Sequence, residues 1–177
     1  MAAQSPKNPQ AEAQKILYHL KIKQPPVSVE KVAAYLGAKL RFAPFDGEIS
    51  GMVFINGDVP IIGVNSLHPP NRQRFTIAHE CGHLVLHRHL ITQEIHVDKK
   101  FAVLRRDSAS AKGIELVEIQ ANRFAAEITM PRVLLLNAIG NDVIDIDDSE
   151  LVTNLAKEFK VSADAMKVRI TNLFGSL

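Results

Sequence analysis

The chain contains no tryptophan and a single cysteine, Cys81. One cysteine excludes an intramolecular disulfide and fits a reducing, cytoplasmic compartment. No uninterrupted apolar run approaches the roughly 20 residues that a membrane-spanning helix needs. The first ten residues, MAAQSPKNPQ, lack the basic-then-apolar order of a secretory signal. Charge of one sign is scarce too: a net +2 is too weak a global field to argue for nucleic acid or a membrane surface. Internal repeats and low-complexity tracts are missing. What is present is an ordinary globular composition, 46% apolar and 23% charged. Its 177 residues suffice for one well-cored domain with a small appendage.

Local patterns predict a mixed α+β chain. Residues 1–9 read as a loose, disordered polar tail. AEAQKILYHLKI predicts a helix with Ile16, Leu17 and Leu20 on one face, ended by Pro25-Pro26. VSVEKVAAYLGAK predicts a second, with Ser28 as N-cap and Gly37 as its stop. LRFAPF reads as a strand. ISGMVFI and PIIGV read as a hairpin joined through Asn56-Gly57-Asp58, since Asn-Gly tolerates positive φ. Pro69-Pro70 opens a helix that runs through a histidine-rich stretch. TQEIHVDKKFAVLRRDSASAKG is charged and aperiodic, predicting a mobile loop or a short element. GIELVEIQANRFAAEITM is a strong helix ended by Pro131, and PRVLLLNAIG a short one. An acidic linker, NDVIDIDDSE, leads to two helices broken near Lys160-Val161-Ser162. The division is a domain over 10–140 and a C-terminal helical segment over 141–177.

The histidine-rich stretch is RFTIAHECGHLVLHRH, Arg74 to His89. At about 100° and 1.5 Å per helical residue, His79 and His83 share one face, one turn apart. That spacing lets two neutral imidazoles bind one Zn²⁺. Glu80 is turned aside, placed to take a proton from a water at the metal and return it to a leaving amine. The apolar neighbours Ile77, Ala78, Leu84, Val85 and Leu86 predict a buried helix, where unpartnered histidines are costly. His89 as a third ligand needs a glycine turn where Leu86 stands. On a continued helix His89 lies about 15 Å along the axis from His79. His87 and His89 therefore read as helix-end residues, favoured by the negative end of the dipole. Cys81 reads as a small buried residue.

A glutamate from a later helix then completes the set, with Glu94, Glu115, Glu118 and Glu127 as candidates. Glu118 and Asn122 are four apart, which aligns a ligand with a group able to accept a ligating histidine's other N–H. Ala78 and Gly82 form a small seam beside the histidines, and Ala121 and Ala125 another beside Glu118. Such seams let two helices approach closely.

RFTIAHECGHLVLH followed by EIQANRFAAEITMP resembles the ImmA/IrrE family of zinc metallopeptidases. ISGMVFIN, IIGVN, PPVSVEKVAAYLGAKL and LAKEFKVSADAMKVRI extend the resemblance over nearly the whole chain. It implies a zincin-like, gluzincin-type core: a small antiparallel sheet packed on the active-site helix, plus a C-terminal helical pair. His79 and His83 match the ligands for Zn²⁺, Glu80 the catalytic glutamate and Glu118 the glutamate that opens the second motif. Many relatives carry another acid where this chain has Gln120.

The resemblance also implies an endopeptidase that cuts a partner, a helix-turn-helix repressor encoded nearby, to control stress-response, mobile-element or toxin–antitoxin genes. Either hairpin strand, ISGMVFI or PIIGV, then offers an edge for an extended substrate. Arg72, Arg74, Tyr18 and Tyr35 are candidates for stabilising the oxyanion, although the two arginines fit better as anchors of the helix start through ion pairs. The rival reading is a metal-binding regulator that cuts nothing and binds DNA or a partner repressor. LAKEFKVSADAMKVRI resembles a helix-turn-helix. However, Lys160 stands where a turn glycine is usual, and the reading helix offers only Lys167 and Arg169 as basic residues. The acidic run Asp142 to Glu150 would repel phosphate, so a helical pair that packs on the core or docks the substrate is the favoured reading.

Overall fold

Helix formation starts earlier than the apolar period predicts. The structure, a computed structural model, describes residues 7–46, 49–91, 96–97, 108–140 and 149–174. Asn8 accepts the Ala11 N–H and caps α1 (Pro9–His19), with Pro9 near the first turn, where its missing N–H costs nothing. Lys7 donates to the Val85 carbonyl at 2.8 Å, so the tail expected over 1–9 is anchored from Lys7 onward. α2 (Val29–Tyr35) has the predicted ends: the Ser28 hydroxyl accepts from Lys31 N–H, and Gly37 leaves the helix at φ 74°.

Four strands follow, β1 (Lys39–Ala43), β2 (Gly51–Asn56), β3 (Val59–Asn65) and β4 (His96–Val97), in the sheet order β1-β3-β2-β4. β2 and β3 form the expected hairpin, but Asn56 pairs with Val59, so Gly57-Asp58 rather than Asn56-Gly57 sits at the turn centre. Gly57 takes the positive φ there, 62°. β1 runs parallel to β3, from Lys39 opposite Ile61 to Ala43 opposite Asn65. The sheet is therefore mixed, not wholly antiparallel as expected. The cause lies in the chain after β1, which passes the end of β3 before entering β2. Buried Asn65 clamps that passage, accepting from Phe45 N–H and donating to Ile49 O at 2.8 Å.

One face of the sheet, with Val53, Ile62 and Val64 fully buried, belongs to the core that also takes in Ile77 and Ala78 of α3 (Pro70–Leu86). α4 (Ser108–Thr129) begins inside the charged stretch expected as a connection, and β4 also comes from it. Residues 92–95 and 98–107 of that stretch lie outside the described residues, as do 141–148 of the predicted acidic linker. α5 (Arg132–Ile139) runs from Pro131 to Gly140, as the sequence predicts.

α6 (Ser149–Phe159) and α7 (Ala163–Phe174) form the C-terminal pair and share one apolar core with the preceding elements. Their break is at Lys160, at φ 54°, a left-handed conformation that a helix-turn-helix usually gives to glycine. Arg169 of α7 is buried in an ion pair with Glu127 of α4 and donates to Met130 O at 3.1 Å. One of the two basic residues offered for reading DNA is thereby withdrawn into the core contact. Among the described residues, no helix is long and apolar enough to cross a membrane.

The predicted seams between α3 and α4 do meet. A Cβ added at Gly82 would lie 3.1 Å from Ala121 Cα and 3.2 Å from Ala121 O, and a backbone cannot yield as a flexible side chain can. Gly82→Ala is expected to destabilise the fold by about 1–3 kcal/mol through overpacking, despite alanine's better helix propensity by about 1 kcal/mol. Urea denaturation of the metal-stripped protein measures this. An unchanged midpoint would show that the helices separate without cost.

Candidate metal centre

Three histidines one turn apart, His79, His83 and His87, form a ladder along the buried side of α3, each at most 6% exposed. The first two rings meet edge to face with centroids 4.7 Å apart, and the second two are tilted at 5.4 Å. α4 crosses this ladder at the Gly82–Ala121 contact and brings Glu118, Gln120 and Asn122 to it.

The contacts fix the protons. His79 donates its Nδ1–H to Asn122 Oδ1 at 2.9 Å, since an amide oxygen can only accept. When the His79 ring is neutral, its Nε2 then presents a lone pair toward His83 Nε2, 3.0 Å away, and Glu118 Oε2, 3.2 Å away. Glu118 Oε1 lies 3.5 Å from His83 Nε2. All these are electron-pair donors, and their convergence calls for a cation between them. Zn–ligand bonds of about 2.0–2.1 Å in a tetrahedron set ligand atoms about 3.3–3.4 Å apart. The observed 3.0, 3.2 and 3.5 Å straddle that value, and a ligand atom from each of the three residues falls within 4.8 Å of the others. His79, His83 and Glu118 thus fit a metal of this kind as they stand.

Burial alone pushes the Glu118 carboxyl up. When the two rings are protonated, hydrogen bonds from His79 and His83 and their charge outweigh it and hold the group well below the usual carboxylate range. An anionic ligand is the result. The other acids considered sit elsewhere: Glu127 is committed to Arg169 and to Gln14, and Glu115 is exposed. Glu94 lies outside the described residues.

Glu80 is fully buried on the same turn as His79. Gly51, the first residue of β2, passes directly over it. A Cβ there would collide with Thr76 Cγ2 and stand 3.3 Å from Glu80 Oε1. The strand thus reaches the carboxylate only because residue 51 has no side chain. Sequence reasoning missed this, because a glycine opening a strand carries no signal of what it faces. Cys81 is fully buried, and burial first, then the charge of Glu80, pushes its thiol well above its ordinary value. That suits an inert packing residue.

His87 departs from expectation. α3 stops at Leu86 instead of continuing, and His87 caps it at φ −126°. It does stand at the end of α3, as expected, but it is buried there, with Nδ1 3.3 Å from His83 Nδ1 and Nε2 2.8 Å from Gln120 Oε1. Burial lowers its basicity, opposed by the bond to Gln120. His89 follows in an exposed 3₁₀ turn. The arginines anchor the start of α3 through hydrogen bonds, with the charge of Glu30 acting on Arg74. Arg72 donates to Ser50 Oγ at 2.8 Å, and Arg74 to Val27 O at 2.9 Å and Lys160 O at 3.3 Å. Tyr18 and Tyr35 make their ring contacts with His19.

With this geometry in hand, comparison with known proteins is informative. The sequence model of the M78 peptidases, described as the IrrE N-terminal-like domain, matches residues 33–171. No curated protein matches the chain significantly. Among solved structures, a Mycobacterium tuberculosis transcriptional regulator is similar at a TM-score of 0.62 and 16% identity, over 92% of this chain and 46% of that one. At that identity the likeness shows the fold alone, and the chain spans less than half the length of that regulator.

Proposed function

Because the chain belongs to the M78 peptidase family of IrrE N-terminal-like domains, we propose that it is a zinc-dependent endopeptidase that cleaves a regulatory protein. The observation that carries this reading is the His79–His83–Glu118 cluster at the spacing of a tetrahedral metal site. A family of metallopeptidases supports a metal there, and the two-nitrogen, one-carboxylate donor set suits zinc.

When bound, zinc supplies Lewis acidity toward a water and the scissile carbonyl. Glu80 takes the proton from the attacking water and returns it to the leaving amine nitrogen. Asn122 holds the His79 ring so that Nε2 faces the metal position. β3 lies between β1 and β2, and β2 between β3 and β4, so neither hairpin strand is an edge of the sheet, contrary to the sequence expectation, and an extended substrate on β2 has only the part that β4 leaves uncovered. β4 meets β2 at Met52 and Val53, next to the Gly51 end that lies over Glu80. A cleft of 760 Å³ on the α4 side, lined by Ile119, Asn122, Met130, Val168 and Leu173 among others, touches the centre through Asn122, while His79, Glu80, His83 and Glu118 do not line it.

The partner in this reading is a helix-turn-helix repressor encoded nearby, as the motif resemblance implies. The burial of Arg169 counts against α7 as a direct reader of DNA. Incubating the zinc-loaded protein with the neighbouring gene's repressor, then measuring intact and fragment masses, tests the proposal. Cleavage should stop with chelator and return with added zinc. A repressor that stays intact in a stoichiometric complex would favour the non-proteolytic regulator instead.

A further inference from the structure

Two residues behind the centre do a job that the three ligands and Glu80 do not explain. His83 can offer Nε2 to a metal only if its single ring proton sits on Nδ1. That nitrogen faces His87 Nδ1 at 3.3 Å, and two ring nitrogens can share only one proton. His87 must therefore accept on Nδ1, which obliges it to carry its own proton on Nε2. Nε2 in turn faces Gln120 Oε1 at 2.8 Å, an oxygen able only to accept. The run Gln120–His87–His83 thus has one proton arrangement compatible with a ligand at His83 Nε2, and Gln120 sets it from 33 residues away.

We propose that His87 and Gln120 are positioning residues that lock His83 in its ligand-competent tautomer, as Asn122 does for His79. The two ligands are served differently. Asn122 accepts directly from His79, whereas His83 is served through an intervening imidazole. An amide at position 120 has a weakness that a carboxylate lacks. Turned over, its NH₂ would donate to His87 Nε2, move the His87 proton to Nδ1 and reverse the run, leaving His83 protonated where the metal must bind. A carboxylate at 120 could only accept, so it would hold the competent arrangement more firmly.

The inference rests on the metal site proposed above, and its test separates the two. Zinc dissociation constants, read by competition with a chromophoric chelator, are compared for the parent, His87→Ala, Gln120→Leu and Gln120→Glu. His87→Ala should weaken zinc about 10–100-fold, the usual cost of removing the hydrogen-bond partner behind a metal-ligating histidine. Gln120→Leu should weaken it in the same direction, and the double variant no more than His87→Ala alone, because both act through one proton. Gln120→Glu should bind zinc as tightly as the parent or tighter, and it is the contrast with Gln120→Leu, which fills similar space without accepting a hydrogen bond, that a merely space-filling role for position 120 would not produce. Long-range ¹H–¹⁵N spectra of the metal-stripped parent should show His83 protonated at Nδ1 and His87 at Nε2, a readout that needs no variant to fold. Unchanged affinity in His87→Ala, weakened affinity in Gln120→Glu, or the opposite tautomers in the parent would each overturn the proposal. If the parent takes up no stoichiometric zinc, the site itself fails; if it does and His87→Ala binds equally, only the positioning role fails.

Discussion

Glu80→Gln is expected to keep stoichiometric zinc and to lose cleavage of the repressor, with kcat down by about 10²–10⁴-fold, the usual contribution of a positioned general acid–base. The substitution is nearly isosteric. Glu80 is fully buried between Thr76 and the Gly51 end of β2, so shape matters there and glutamine preserves it. What glutamine cannot do is take a proton from water at neutral pH. The proposed ligand set is untouched, since the candidate metal-binding cluster is His79, His83 and Glu118. Zinc content and thermal midpoint therefore serve as internal controls: both should match the parent while the fragments disappear. Cleavage at the parental rate would remove Glu80 from the mechanism, whatever the metal does.

Removing Glu118 should have the other large effect, and on binding before chemistry. Its two oxygens lie 3.2 and 3.5 Å from the Nε2 atoms of His79 and His83. Of the three clustered side chains it is the one carboxylate, and those same histidines, when protonated, hold it well below the ordinary carboxylate range. Glu118→Ala should weaken zinc by more than about a hundredfold, beyond the roughly 10–100-fold typical of losing a partner behind a ligand. Glu118 is about one-quarter exposed at its side chain, so the variant should remain folded. Raising free zinc should then restore part of the cleavage, because Glu80 and both histidines remain. Unchanged affinity would mean that the third ligand is another group.

Much of this centre was legible because it is written in local spacing. A step of four positions from His79 to His83, and another from Glu118 to Asn122, places each pair on one helical face wherever the helices end up. The caps at Ser28, Pro131 and Gly140 were legible for the same reason: each acts within one turn of its own helix. The small residues Gly82 and Ala121 gave a further clue, since side chains that small are where α3 and α4 can touch. The motif pairing, RFTIAHECGHLVLH with EIQANRFAAEITMP, then singled out Glu118 from four candidate acids.

Other features depend on which distant residues meet, and no local period encodes that. His87 has the spacing of a ladder member, yet its burial depends on α3 stopping at Leu86 and on Gln120 arriving from α4. Gln120 looked like the loss of an acid and is in fact a hydrogen-bond partner. Arg169 looked available for phosphate until Glu127 took it into the core. The parallel pairing of β1 with β3 turned on Asn65 fixing the chain after β1. By itself the sequence determined the faces: which side chains share one helix surface and where each helix can begin and stop. Only the tertiary structure decided the partners, because a hydrogen bond or ion pair between residues 33 or 42 positions apart exists only once packing has paid the entropy of bringing them together.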